Sequence, residues 1–455
     1  MELWGGIECT VNRVGAHTYD QLARSGHYER TDDLDQIAAL GIRRLRYPVL
    51  WETTATAVPG EYDFSFADSR LHRLRELGIT PIATLVHHGS GPEYTSLLDE
   101  HFAPGLADYA GQVARRFPWL EWYTPVNEPL TTARFCGLYG HWQPHARSNQ
   151  AFARMFVNEC RAIVLSMKAV RSVNPAAKLV QTEDLGTIYA TSPLQYQADF
   201  ENERRWLAWD LLSGQVDVTH PLHEHLVAWG ISERELAWFI EHRCPPHVIG
   251  IDHYVTSDRF LDHVLDRHAE RCHGGNSLQR YADVEAVRIL ERPGTSLRHI
   301  VIEAAQRYRR PVALTEVHLG CTEDEQVRWL HDAWTTCEQL AASGVNVRAV
   351  TAWALLGCFD WDTLLTAGGN SYESGAFCVR QGNLRPTAVA EYIRTLTQEG
   401  NVLGLNALRE GIEGWWRRPE RLLHGVSMPC RPELDDALPA PVRWVAMGTH
   451  AGSGS

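Results

Sequence analysis

The chain has 455 residues, 44% of them hydrophobic and 22% charged, with a net charge of −13 at neutral pH. That acidity argues against nucleic acid or an anionic membrane as partner, because both call for a basic face. A generic length prior would divide the chain into two or three domains, but a (β/α)8 barrel with insertions absorbs most of it as one.

In chain order, Met1 to Glu8 shows no basic segment followed by an apolar core, so we expect no secretory leader and a cytoplasmic protein. No run of about 18 apolar residues suggests a membrane span. Ten cysteines are scattered without C-x2-C pairs, which suits free thiols in a reducing compartment. Strands are predicted at Leu3 to Ile7, Ile42 to Arg46, Pro81 to Val86, Glu121 to Val126, Lys178 to Thr182, Val248 to Asp252, Val312 to Thr315 and Val347 to Trp353. Between them fall helical stretches at Asp32 to Leu40, Ser65 to Leu77, Gly105 to Phe117, Gln150 to Val173, Glu201 to Ser213, Ser232 to His242, Ser296 to Tyr308 and Glu323 to Ala342. Three of these helices stop at a glycine (Gly41, Gly78, Gly344) followed at once by a β-branched residue. Glycine in the left-handed conformation ends a helix, and the repeated αβ unit predicts a parallel sheet. Ser65, Ser232 with Glu235, and Thr322 with Glu325 read as helix caps. A last helix is expected over Pro386 to Thr397, with Pro386 in its first turn.

Past Glu399 the character changes. We expect a barrel domain over 1–399 and a C-terminal extension over 400–455. In the extension Asn401 to Arg418 can form one amphipathic helix, prolines then break the chain, and Gly452-Ser453-Gly454-Ser455 forms a tail.

Two strand ends carry the chemistry. The fourth runs out at Thr124-Pro125-Val126-Asn127-Glu128-Pro129 and the seventh at Thr315-Glu316. Two glutamates at the carboxyl ends of strands in one barrel are the minimum equipment for cleaving a glycosidic bond. Glu128 suits the protonated acid and Glu316 the nucleophile, since proximity raises one of two carboxyl pKa values. A lone glutamate there would read equally well as a salt-bridged strand end; the pair, with Asn127 before one of them, points to catalysis.

These segments resemble the T-x-N-E-P and T-E-N-G signatures of family 1 glycoside hydrolases, over residues 1 to about 395. Here one extra residue stands between Thr124 and Asn127, and Val317-His318 stands in place of Asn-Gly. The resemblance implies a (β/α)8 barrel and a retaining β-glycosidase. It makes Arg46 the arginine that braces the nucleophile and Asn127 the amide on the sugar 2-hydroxyl. It also makes His87, in Leu85-Val86-His87-His88, a sugar-binding imidazole. Gly250-Ile251-Asp252-His253-Tyr254 is similar to G-I-N-Y-Y, which makes Tyr254 the phenol on the nucleophile and leaves an extra carboxyl group, Asp252, near Glu316. Trp353 matches the stacking tryptophan. Cys358-Phe359-Asp360-Trp361 is similar to N-F-E-W, so Asp360 and Trp361 are expected on the far hydroxyls, with Asn12 where a glutamine is usual. Both Asn12 and Asp360 are one methylene shorter, which implies a reshaped sugar subsite.

Gly414 to Pro419 resembles the linker of barrels that precede a reductase domain of the dehydrorhamnose reductase type. No dinucleotide fingerprint appears, so no nicotinamide cofactor is expected. No metal is expected either: the His220, His223, His225 run reads as a surface loop. Gly274-Gly275-Asn276 and Gly368-Gly369-Asn370 read as loop glycines. The partner is expected to be a small glycoside. The rivals to a hydrolase are a transglycosidase and a sugar-binding barrel that has lost turnover.

Overall fold

The structure, a computed structural model, describes residues 1–399 and 411–424. Eight strands close into one barrel: β1 (Glu2–Gly6), β2 (Arg44–Pro48), β3 (Thr80–Thr84), β4 (Trp122–Thr124), β5 (Lys178–Asp184), β6 (Val248–Asp252), β7 (Val312–Val317) and β8 (Val347–Ala352). Each is parallel to its neighbours in sequence, and β8 closes on β1 with Glu2 opposite Ala349. Closure leaves the ring without an edge. Among the described residues no helix is long and apolar enough to cross a membrane, and the nine cysteines there are free thiols.

Side chains two apart on a strand share a face, so the barrel interior is filled in layers. At the amino ends of the strands, Trp4, Ile82, Trp122, Val180, Val248, Ala313 and Ala349 form one buried apolar cluster. Arg44 caps it, with its guanidinium 4.5 Å from the Trp122 ring. Two residues further along, the positions are Gly6, Arg46, Thr84, Thr124, Thr182, Gly250, Thr315 and Thr351. The arginine and the five threonines of this layer are all buried. Above them come Asp252, Glu316 and the end of β4. Gly6 is required here, because a Cβ would lie 2.2 Å from the Trp353 ring that covers the end of β1.

The expected capping box of Ser232 and Glu235 opens the helix Glu233–Glu241. Thr322 caps Glu323–Ala342, but the Glu325 carboxylate turns away to accept from Trp415 N at 3.0 Å. Other expectations are corrected. Asp63, not Ser65, supplies the oxygen at the start of Ser65–Glu76, accepting from Ser65 N at 2.9 Å. The stretch Glu201 to Ser213 splits into Gln195–Arg204 and Leu207–Ser213. At the break the Arg205 guanidinium donates to Gly186 O and Glu303, each at 2.6 Å. Pro386 pairs opposite Phe377 in a short strand, and the last helix is Ala388–Glu399.

A four-stranded sheet outside the barrel was not expected. It comprises Ile188–Ala190, Arg259–Asp262, His273–Gly275 and Arg280–Glu285, so Gly274 and Gly275 stand on its edge strand rather than in a loop. Its strands are short, and it covers a small apolar cluster of its own around Phe260, Val284 and Ile289.

In the C-terminal stretch, Trp415–Arg417 and Pro419–Arg421 are two 3-10 turns in place of the end of the expected amphipathic helix. Trp416 is buried edge-on against Trp329, at a ring distance of 5.3 Å. Its indole donates to Asp332 at 3.0 Å. The expectations for 400–410 and for the tail after 424 lie outside the described residues.

Candidate active site

At the carboxyl ends of the strands the interior opens into a cleft of about 1160 Å³ lined by Glu128, Glu316, Tyr254, Trp353 and Trp361, among others. Arg46 is the hub beneath it. Nη1 donates to Glu316 Oε1 at 2.8 Å and to Thr315 O at 2.7 Å. Nη2 donates to Asn127 Oδ1 at 2.5 Å. The guanidinium lies 4.6 Å from the Trp353 ring and 3.7 Å from Asp252. Two donors, Arg46 and Thr182 (2.7 Å), meet on Asn127 Oδ1. The amide orientation is therefore set, and Nδ2 is left facing His87 and His88, each at 3.4 Å. Tyr254 donates its phenol to Glu316 Oε2.

Glu128 stands at the head of the helix Pro129–Ala133 in the left-handed region, with φ 44°. A side chain there is strained, and such strain collects at working sites. His88 (φ 55°) and Asp360 (φ 56°) share this conformation. Glu183, at the end of β5, accepts from Leu130 N at 2.8 Å. It thus takes over a start-of-helix donor and leaves the Glu128 carboxyl free for the cleft. The carboxyl oxygens of Glu128, Asp252 and Glu316 lie within 4.8 Å of one another.

The electrostatics separate the two glutamates. Burial, then the charges of Asp252 and Glu316, push the Glu128 carboxyl well above its usual value. Burial and Asp252 also push Glu316 up, but Arg46 and Tyr254 oppose this directly. Ionised Glu316 therefore has donors on both oxygens, whereas the nearest basic group to Glu128 is His88 at 3.7 Å. Burial and Arg46 lower His88 to about 3, so it is neutral and supplies no positive charge. The proton of the pair belongs on Glu128. Asp252 is fully buried, and a hydrogen bond between it and the Glu128 carboxyl helps to keep the proton on Glu128.

The sugar-binding expectations fare unevenly. Trp353 and Trp361 line the cleft, and of the adjacent pair His87 and His88 it is His88 that does so. His87 packs behind, stacked on Trp353 at 5.5 Å. The Asp360 carboxyl does not face the cleft. Arg24 holds it at 2.5 Å and Ser371 N at 2.8 Å. Asn12 is buried with both amide atoms unpartnered, and it is not among the residues that line the cleft. His220, His223 and His225 do not converge; His220 turns to Asp210 at 3.3 Å. Sequence reasoning missed Glu8, which lines the cleft and accepts from Thr10 N at 2.8 Å. It also missed Glu183 and the side chains that follow β7 and β8 on the cleft wall. For Glu183 a signal existed, in an acidic pair ending a buried strand.

A parallel eight-stranded barrel with two facing carboxyl groups at the carboxyl ends of β4 and β7 is the arrangement that cleavage of a glycosidic bond requires. The comparisons with known proteins agree. The chain is 24% identical to β-glucosidase 4 of Oryza sativa subsp. japonica over 380 residues, which cover 74% of this chain and 77% of the relative. It is 29% identical to a bifunctional β-D-glucosidase/β-D-fucosidase of Bifidobacterium breve over 143 residues, 29% of this chain and 31% of that protein. The fold is that of the Thermotoga maritima β-glucosidase solved with deoxynojirimycin. That match has a TM-score of 0.72 at 17% identity and covers 88% of this chain and 98% of the other. No protein-family model matches the chain. In sequence the chain is similar to these β-glucosidases, and in fold it shares the barrel of the family 1 enzyme from Thermotoga maritima.

Proposed function

We propose that the protein is a retaining β-glycosidase acting on small β-linked glycosides through a covalent glycosyl-enzyme intermediate. The observation that carries this reading is the approach of Glu128 and Glu316, with carboxyl oxygens within 4.8 Å, together with the placement of Arg46 and Tyr254 on Glu316 alone. Retaining enzymes set the pair about 5–5.5 Å apart, whereas inverting enzymes leave about 6.5–9.5 Å for a water.

Glu316 attacks the anomeric carbon while Glu128 gives its proton to the leaving oxygen. Glu128, now a base, takes a proton from water, which releases the sugar and regenerates Glu316. Asn127 Nδ2 holds the 2-hydroxyl, Trp353 forms the platform, and His88 and Trp361 contact the remaining hydroxyls. His87 supports the platform from behind, and Asp360 acts through Arg24 by shaping the loop. No nicotinamide enters the reaction. We place the enzyme in the cytoplasm, with residues 400–455 as an extension of the barrel. Its Gly414 to Pro419 stretch fits a barrel that works beside a sugar-nucleotide reductase.

The test is mass spectrometry after treatment with 2-deoxy-2-fluoro β-glycosides differing at the sugar. Label on the peptide containing Glu316 is expected; label on another carboxylate overturns the assignment. Product analysis with an added sugar acceptor separates hydrolysis from transfer. Aryl glycoside release no faster than in Glu316→Ala, with sugar still bound, would leave a binding barrel.

A further inference from the structure

Beside the nucleophile three side chains of another kind converge. His318 lies two residues past Glu316, where the glycoside hydrolase signature has a glycine. Cys358 stands where the sugar-binding segment has an asparagine. Cys358–Phe359 pairs antiparallel with Tyr372–Glu373, placing Cys358 directly opposite Glu373. Side chains opposite each other in such a pair project from the same face. His318 Nε2 and Glu373 Oε2 are 3.1 Å apart, Cys358 Sγ and Glu373 Oε2 3.8 Å, and Cys358 Sγ and His318 Nε2 3.9 Å.

We infer that His318 Nε2, Cys358 Sγ and the Glu373 carboxylate form a zinc site on the wall of the cleft. A tetrahedral zinc ion with bonds of about 2.1 Å to nitrogen and oxygen and about 2.3 Å to sulfur holds its ligands roughly 3.4–3.6 Å apart. The three separations here bracket that spacing. A nucleophilic triad is the competing arrangement, but it would place thiol and carboxylate on opposite nitrogens of the imidazole. Here both sit at Nε2, while Nδ1 lies 3.0 Å from Trp353 O. A ring that donates Nδ1–H to a backbone carbonyl presents its Nε2 lone pair, the usual outer support of a zinc-bound histidine. That nitrogen faces a carboxylate oxygen at 3.1 Å; a proton on Nε2 bridges the two as an ion pair, and a zinc ion in its place would take the Cys358 thiolate as well.

The surroundings leave room for the arrangement. At Gly320 a Cβ would fall 2.5 Å from the Glu373 carboxyl carbon, so a side chain there would push the carboxylate from its present place. A thiolate, an imidazole and a carboxylate together favour zinc over magnesium or calcium, which prefer all-oxygen sites. His318, Cys358 and Glu373 also line the same cleft as Glu316. The fourth position therefore opens toward bound sugar, for a water or a hydroxyl. This inference does not depend on the glycosidase reading, because its readout is metal binding.

The full chain, stripped with a chelator, is titrated with zinc against a chromophoric competitor and separately loaded with cobalt(II). One zinc per chain and a thiolate-to-cobalt charge-transfer band are expected. Cys358→Ser should abolish the band. Cys358→Ser and His318→Ala should each weaken zinc by at least about 100-fold, beyond the roughly 10–100-fold cost of losing an outer partner. Glu373→Gln, on a partly exposed side chain, supplies a third variant if either of the others fails to fold. Cys321→Ser and Cys378→Ser, thiols of the adjoining cavity, should leave binding intact. Failure of the wild-type chain to take up stoichiometric zinc overturns the site, as does an unchanged cobalt spectrum in Cys358→Ser.

Discussion

The two ends of the barrel interior are built from the same eight strands and obey opposite rules. At the amino end, Trp4, Ile82, Trp122, Val180, Val248, Ala313 and Ala349 exclude water and leave no charge among them. At the carboxyl end, four residues beyond Val248 on the same face, the carboxyl of Asp252 is fully buried. It shares a small volume with Glu128 and Glu316. Apolar burial stabilises in rough proportion to area and tolerates similar shapes. Buried like charges destabilise unless protons or partners answer them. The plug thus supplies stability, and the polar end draws on it to hold two carboxyl groups in unequal states.

Substitutions at the two ends should part these roles. The largest effect is expected from Glu316→Gln, which should lower aryl β-glycoside hydrolysis by more than about 10⁴-fold. Glu128→Gln should cost about 10²–10⁴-fold, and its Tm should not fall, because a buried carboxyl among like charges is replaced by a neutral amide. A Glu128→Gln protein that melts well below wild type would break the comparison.

Trp4→Ala should show the reverse: about 3–5 kcal/mol less stability in denaturant titration, with turnover per folded molecule little changed. Retained stability would mean the plug is not what holds the ring. Asp252→Asn should give a subtler result, read from the pH profile of kcat/KM. Removing the charge that raises Glu128 lets that acid ionise earlier, so the alkaline limb should move to lower pH. A limb that stays put, or moves up, removes Asp252 from the electrostatics of the site.

The smallest effect is expected at Glu52, whose carboxyl burial raises to about 7 from an ordinary 4.5. Its Oε1 accepts from Gly91 N at 2.9 Å and its Oε2 is buried without a partner. A raised carboxyl binds its proton more tightly in the folded chain, so stability falls as pH rises from about 4.5 through about 7. Glu52→Gln should remove that decline and melt about 2–4 °C above wild type at pH 8, with the difference gone near pH 4.5. A Glu52→Gln chain that follows the wild-type pH dependence would assign the decline to other groups.

Much of the ring could be read without coordinates, because its parts are local. Gly41, Gly78 and Gly344 end helices, Ser232 with Glu235 begins one, and β-branched runs follow the glycines. The errors fall where a distant group decides a local outcome. Asp63 rather than Ser65 caps a helix, Arg205 divides another by reaching Gly186 and Glu303, and Pro386 is drawn into a strand by Phe377. At the site, the Asn127-Glu128 and Thr315-Glu316 motifs were legible because strand ends carry them. The choice of His88 over His87 for the cleft, and the loss of Asp360 to Arg24, were not legible. Ring direction and ion pairing depend on neighbours hundreds of positions away.

By itself the amino-acid sequence determined the alternation of strands and helices, the closed parallel barrel that alternation implies, and which glutamates stand at its strand ends. Those follow from periodicity, glycine stops and short motifs, whose physics acts within a few residues. Only the tertiary structure decided which carboxyl keeps the proton and that a thiol, an imidazole and a carboxylate meet beside the nucleophile. Burial and the field of neighbouring charges are properties of a folded volume, and no segment of chain carries them alone.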